Sequence, residues 1–113
     1  MFTFPKDVPN ACFLSLYKNN NVLKYDLLKS SIEEIQALPD QYQSSAFINS
    51  IKINPQNKSI LFATSNGMLS TNSAENKQSC GVLFYSEYPL MDVAYCDQNF
   101  LIVDYRGNLS VLN

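Results

Sequence analysis

Between residues 47 and 72 the hydrophobic pattern marks three short strands with two turns between them. Ile51 and Ile53 alternate with Ser50 and Lys52, the period of two that gives a strand one buried face. Asn54-Pro55-Gln56-Asn57 then supplies turn residues, proline with a fixed φ and asparagine with its tolerance of left-handed geometry. Ile60-Leu61-Phe62-Ala63 is apolar at consecutive positions, which predicts a strand covered on both faces. Asn66-Gly67 predicts a tight type I′ hairpin, with Met68 to Asn72 as the returning strand.

The same order of elements occurs twice more. Near the start, Phe2-Thr3-Phe4-Pro5 precedes Cys12-Phe13-Leu14, an Asn19-Asn20-Asn21 turn and Val22-Leu23. Near the end, Val93-Ala94-Tyr95 precedes Phe100-Leu101-Ile102, Arg106-Gly107 and Asn108-Leu109. The doubly apolar strands centre on Phe13, Leu61 and Leu101, steps of 48 and 40 residues. The returning leucines Leu23, Leu69 and Leu109 step by 46 and 40. Several strands recurring at a period of roughly 40–50 residues are the mark of propeller blades.

At these positions the chain resembles the WD-repeat family of β-propellers. Gly107-Asn108-Leu109-Ser110-Val111-Leu112-Asn113 fits that family's third strand, with Leu112-Asn113 where the family carries Trp-Asp. Ile51-Lys52-Ile53-Asn54-Pro55 fits its first strand, and Tyr25-Asp26 lies one residue out of phase with the Trp-Asp position of the first unit. The chain has no Trp and no His, so the family's buried His–Asp network has no counterpart here. The resemblance implies a blade-built fold that binds peptides or proteins through the loops on one face.

Residues 30–38 read two ways. Ser31 with Glu34 makes a capping box, and Ile32, Ile35 and Leu38 recur at helical spacing before Pro39. In the register of the repeat the same segment is the fourth, outer strand of the first unit. A helix this short is marginal alone, which favours the strand. Cys80 to Tyr85 is the corresponding outer strand of the second unit, and the third runs Leu90–Cys96, Asn99–Tyr105 and Gly107–Leu112 with no fourth strand after it. The expected architecture is therefore one all-β domain, 1–113, of about three incomplete propeller-like blades at about 1–40, 46–87 and 90–113. The alternative is a small β-sandwich or barrel with one short helix near 31–38.

Closure of a propeller takes roughly four to eight blades. Three would leave two flat apolar faces and unpaired strand edges in water, and each exposed Leu, Ile or Phe forgoes roughly 1.5–3 kcal/mol of burial. Two copies could close a six-bladed ring, or a partner chain could supply or cap the missing blades; the second is the expectation.

Composition narrows the function. An apolar fraction of 46% and a charged fraction of 16% fit a folded domain, and a net charge of −2 without a basic cluster argues against nucleic acid except through a complex. No apolar run approaches the roughly 20 residues of a membrane span, and no leader-like segment opens the chain. Cys12, Cys80 and Cys96 lack metal-ligand spacing and read as reduced thiols of an intracellular protein, cytoplasmic or nuclear. With no His and three glycines, the sequence offers no Ser–His or Cys–His pair, no His-based metal site and no phosphate loop. Glu33 and Glu34 would face opposite sides of a strand, and Asp92, Asp97 and Asp104 read as turn and rim carboxylates. No catalytic residue, cofactor or metal is expected.

What remains is interaction. In the blade register Tyr42 and Tyr88 fall on loops entering new blades, and Lys18, Asn20, Tyr105 and Arg106 on turns between second and third strands. Tyr and Arg are favoured interface anchors because they bury large area with a polar handle. Phe2, Phe4, Leu109 and Val111 are the expected open-edge contacts. The sequence thus points to a non-enzymatic scaffold-type subunit of a larger complex. A homo-oligomeric carbohydrate-binding propeller, or a protein that occludes a site on an enzyme or ribosome, are the alternatives.

Overall fold

The structure, a computed structural model, describes residues 2–3, 10–15, 21–39, 46–54, 57, 59–73 and 80–112. Every element among them is a strand: β1 (Phe2–Thr3), β2 (Ala11–Ser15), β3 (Asn21–Asp26), β4 (Ser31–Gln36), β5 (Ile48–Ile53), β6 (Ser59–Thr64), β7 (Met68–Ser73), β8 (Gly81–Tyr85), β9 (Leu90–Cys96), β10 (Asn99–Asp104) and β11 (Leu109–Leu112). They form three antiparallel meanders in chain order, β1-β2-β3-β4, β5-β6-β7-β8 and β9-β10-β11. These stack face to face as three layers, so the fold is the all-β, blade-like arrangement rather than a two-layer sandwich or a closed barrel.

The stacking follows from the apolar pattern. Ile60 and Phe62 on β6, with Ile51 and Ile53 beside them on β5, pack against Ala11, Phe13, Val22 and Ile35 of the first sheet. Leu61 and Ala63, on the opposite face of β6, join Leu69 against Leu90, Val93 and Ile102 of the third sheet. The four-residue apolar run Ile60–Ala63 is therefore fully buried on both faces, as its lack of alternation requires. A bulge between Ile48 and Ser50 breaks the period of two and returns Ile48 to the first-sheet side.

Polar latches cross both interfaces. Ser70 Oγ donates to Ala37 O, and Asn72 Nδ2 donates to Gln36 O at 2.7 Å, tying the end of β4 to β7. Asn49 Nδ2 donates to Leu90 O at 2.8 Å, and Ser50 Oγ to Asp92 Oδ1 at 2.5 Å, tying β5 to β9. Lys52 Nζ lies 3.5 Å from the same carboxylate. Burial opposes ionisation of Asp92, but the Ser50 hydroxyl, the Val93 N–H and Lys52 outweigh it and lower its pKa below the ordinary 3.8.

Residues 31–36 settle as strand, paired along their whole length with β3 from Ser31 opposite Asp26 to Gln36 opposite Asn21. The capping box forms no helix because six backbone partners on β3 outcompete a two-turn helix. The β6–β7 hairpin departs from type I′. Only Gly67 has a positive φ, 84°, where type I′ needs both central residues there. The connection is a three-residue loop, Ser65 to Gly67, with glycine in its left-handed position and the Gly67 N–H on Thr64 O at 3.2 Å. Gly107 repeats the φ of 84° and the bond, to Asp104 O at 3.1 Å. No disulfide joins Cys12, Cys80 or Cys96; Cys12 is buried, but Cys96 is exposed at the β9–β10 turn.

Candidate interaction surfaces

Two turns and one connection converge where the sheets present the end of β6 and the end of β10. The Ser86 N–H donates to Gly67 O at 2.7 Å, so the β6–β7 turn lies directly against the β8–β9 connection. The contact is so close that a Cβ on Gly67 would sit 2.3 Å from Ser86 O. Farther along, the Tyr105 N–H donates to Pro89 O at 2.8 Å, which brings the β10–β11 turn onto the same connection. The β10–β11 turn is held from inside by Asp104. Its carboxylate accepts from the Arg106 N–H at 2.9 Å, the Asn108 N–H at 3.0 Å and Asn108 Nδ2 at 3.0 Å. Burial raises the Asp104 pKa, but these bonds more than offset that and hold it below 3.8.

This framework brings Tyr88, Tyr105 and Arg106 close together. Arg106 lies over the Tyr88 ring with its guanidinium carbon 5.0 Å from the centroid, and its Nη1 reaches the Tyr88 hydroxyl at 3.4 Å. Tyr105 is 70% exposed beside them. The result is an aromatic–cation cluster at the tip of a rigid, backbone-tied frame. Lys18, Asn20 and Tyr42 lie outside the described residues, as does Phe4.

The second surface is the outer face of the third sheet. The register places Leu101 opposite Val111 and Ala94, and Val103 opposite Leu109 and Asp92, so all share that face. Ala94, Leu101, Val103 and Leu109 line a shallow trough of about 150 Å³. Leu109 and Val111, both expected at an open edge, are 67% and 60% exposed on β11. In the repeat Leu109 corresponds to Leu69, which the third sheet buries completely. Phe2, the fourth expected edge contact, stands on β1 in register with Leu14.

The opposite end of the stack carries a surface that the sequence reading did not single out. Leu14 pairs with Leu23, and Tyr25 with Ile32, on the face of the first sheet turned away from the second. Ile32 is 64% exposed there. Strand alternation would have found it: once β4 pairs with β3, Ile35 points into the core and Ile32 must point out.

Among the described residues no group of three or more His, Cys, Asp or Glu side chains is placed to hold a metal, and no helix is long and apolar enough to cross a membrane. No protein-family model and no curated protein matches the chain. Among solved structures it is similar to the extracellular domain of a hybrid two component system from B. thetaiotaomicron, with a TM-score of 0.65 and 13% identity over 90% of this chain and 13% of that one. It is also similar to two computationally designed proteins. For Ika8 the TM-score is 0.56 with 9% identity, over 97% of this chain and 44% of that one. For Ika4 it is 0.51 with 12% identity, over 87% and 62%. The chain spans less than two thirds of each of these proteins, and at such identities the likeness is one of fold.

Proposed function

We propose that the chain is a non-enzymatic interaction subunit, a stack of propeller-like sheets completed or capped by a sheet of a partner chain. One observation carries this reading: the repeat position that is fully buried at Leu69 is 67% exposed at Leu109. Both leucines sit on the third strand of a meander and face the same way along the stack. Leu69 has a sheet over it and Leu109 has none among the described residues. Covering Leu101, Val103, Leu109 and Val111 recovers roughly 1.5–3 kcal/mol for each large side chain fully buried, enough to drive association. The Tyr88–Arg106–Tyr105 cluster is the second docking element, suited to a peptide or loop with a carboxylate for Arg106 and an apolar group for the tyrosines.

Light scattering after size exclusion tests the proposal on the wild-type chain and on Leu109→Glu/Val111→Lys. The wild type should associate in a concentration-dependent way, and the double variant should remain monomeric with its far-ultraviolet circular dichroism unchanged. A wild type that stays monomeric at every concentration and binds no hydrophobic dye overturns the reading.

A further inference from the structure

At the end of the stack opposite the tyrosine cluster, a cleft of about 420 Å³ opens between the second and third sheets. It falls within the roughly 300–1,000 Å³ of typical small-ligand sites. We propose that this cleft binds a neutral, hydroxyl-rich ligand, a mono- or disaccharide unit. The site is independent of the faces proposed above for partner chains.

The chemistry of the lining carries the assignment. Asn54 and Asn57 come from the β5–β6 connection, Ser59 from the start of β6, and Thr71 and Ser73 from β7. Among the described residues no Lys, Arg, Asp or Glu lines the cleft, so none of these would compensate the charge of an ionic ligand. Amides and hydroxyls present both donors and acceptors, which is what a ligand of hydroxyl groups needs, each of them a donor and an acceptor at once. Two details stiffen this polar wall. Asn57 Oδ1 accepts from the Ser59 N–H at 3.0 Å, and the Asn54 N–H donates to Ser59 O at 2.8 Å, so the three residues form one tied turn.

Asn72 and three apolar side chains complete the lining. Leu61 and Leu83 come from β6 and β8 of the second sheet and Phe100 from β10 of the third, and Leu83 remains substantially exposed although it lies on a folded strand. The Phe100 ring is held against Tyr95, centroids 5.3 Å apart and planes tilted by 50°. A pyranose matches such an amphipathic slot, with its C–H face on the aromatic ring and its hydroxyl rim on the amide wall. A purely apolar ligand would strand the polar side chains, and a charged one would lose its hydration without replacement.

The test is a titration followed by ¹⁵N–¹H correlation spectra, using methyl glucoside, methyl galactoside, methyl mannoside and N-acetylglucosamine as probes. At least one should give saturable shifts confined to amides near residues 54–61, 71–73, 83 and 100. Thr71→Val and Asn57→Ala should each weaken that glycoside by roughly 3- to 10-fold, the fold-change of one lost hydrogen bond. Tyr105→Ala/Arg106→Ala, at the far end, should leave it unchanged. Absence of saturable shifts with all four probes overturns the proposal. So does binding that Thr71→Val and Asn57→Ala leave intact, or a neutral tetrapeptide that shifts the same amides when no glycoside does. Unchanged dispersion of the remaining amides in each variant shows that the fold has survived.

Discussion

Gly67 and Gly107 share a φ of 84° and the same place in their hairpins, yet they should respond very differently to one added methyl group. At Gly107 a Cβ meets nothing within 4 Å, so Gly107→Ala has only the cost of a left-handed alanine, about 1–2 kcal/mol. Part of that is returned through the stiffer unfolded chain, about 0.4–1 kcal/mol, leaving a net loss of about 1 kcal/mol. At Gly67 the same backbone strain applies, and the Cβ lies 2.3 Å from Ser86 O and 3.1 Å from Tyr88 O. Ordinary contact begins at 3.4 Å, so the β8–β9 connection must retreat by about 1 Å, and being backbone it cannot rotate aside. The retreat strains the 2.7 Å bond from the Ser86 N–H to Gly67 O, worth about 0.5–1.5 kcal/mol, and disturbs the packing around it. The expected loss for Gly67→Ala is about 3 kcal/mol, against about 1 for Gly107→Ala. At about 4 °C per kcal/mol for a chain of this size, these become melting-point drops of about 12 °C and about 4 °C. Urea unfolding of the purified chain at constant m-value gives the same comparison as a midpoint shift. Equal losses at the two glycines would refute the claim that the loop surface is clamped through Gly67.

Four further outcomes follow from the same geometry. Leu69→Ala should cost about 2–5 kcal/mol on urea unfolding and Leu109→Ala under about 1, since only the first leaves a cavity. Asn72→Ala, which strips a buried donor from Gln36 O, should cost about 1–3 kcal/mol, and a variant as stable as wild type would show that the β4–β7 latch contributes nothing. Because the folded-state pKa of Asp92 lies below its unfolded value, its contribution is complete above the unfolded value and is lost as pH falls through the folded one. Asp92→Asn should therefore flatten the fall of stability below about pH 4, and an unchanged acid limb would contradict this. Tyr105→Ala/Arg106→Ala should leave the melting point within about 2 °C of wild type while weakening binding of any partner at the loop surface, as calorimetry would show.

Much of this architecture was legible along the chain because it rests on local pattern. Alternation at Ile51 and Ile53, the unbroken run Ile60–Ala63 and the glycines at 67 and 107 specify strand, doubly covered strand and left-handed turn from a few residues each. The nearness of Tyr88 to Tyr105 and Arg106 follows from strand direction, since in an antiparallel meander the connection entering a sheet and its second turn lie at the same end. The grouping of Asn54, Asn57, Thr71 and Phe100 around one cleft was not legible along the chain, because these residues come from two sheets and lie far apart in sequence.

Local pattern failed where two local choices were nearly equal, or where the deciding neighbour is distant. Residues 31–36 carry a local helix signature against the strand that the repeat register favours, and pairing with β3 fixes the strand, sending Ile35 inward and Ile32 out. Asn66-Gly67 suits more than one hairpin, and the β8–β9 connection lying against Gly67 accompanies the three-residue form. Ser50 and Asp92 stand 42 residues apart and meet only because two meanders stack. Leu69 and Leu109 occupy the same place in the same motif, yet one is sealed and the other largely open to solvent. Sequence by itself determined which faces are apolar, because a side chain's direction follows from its own strand; which of those faces is covered depends on the neighbouring layer, and only the tertiary structure decided that.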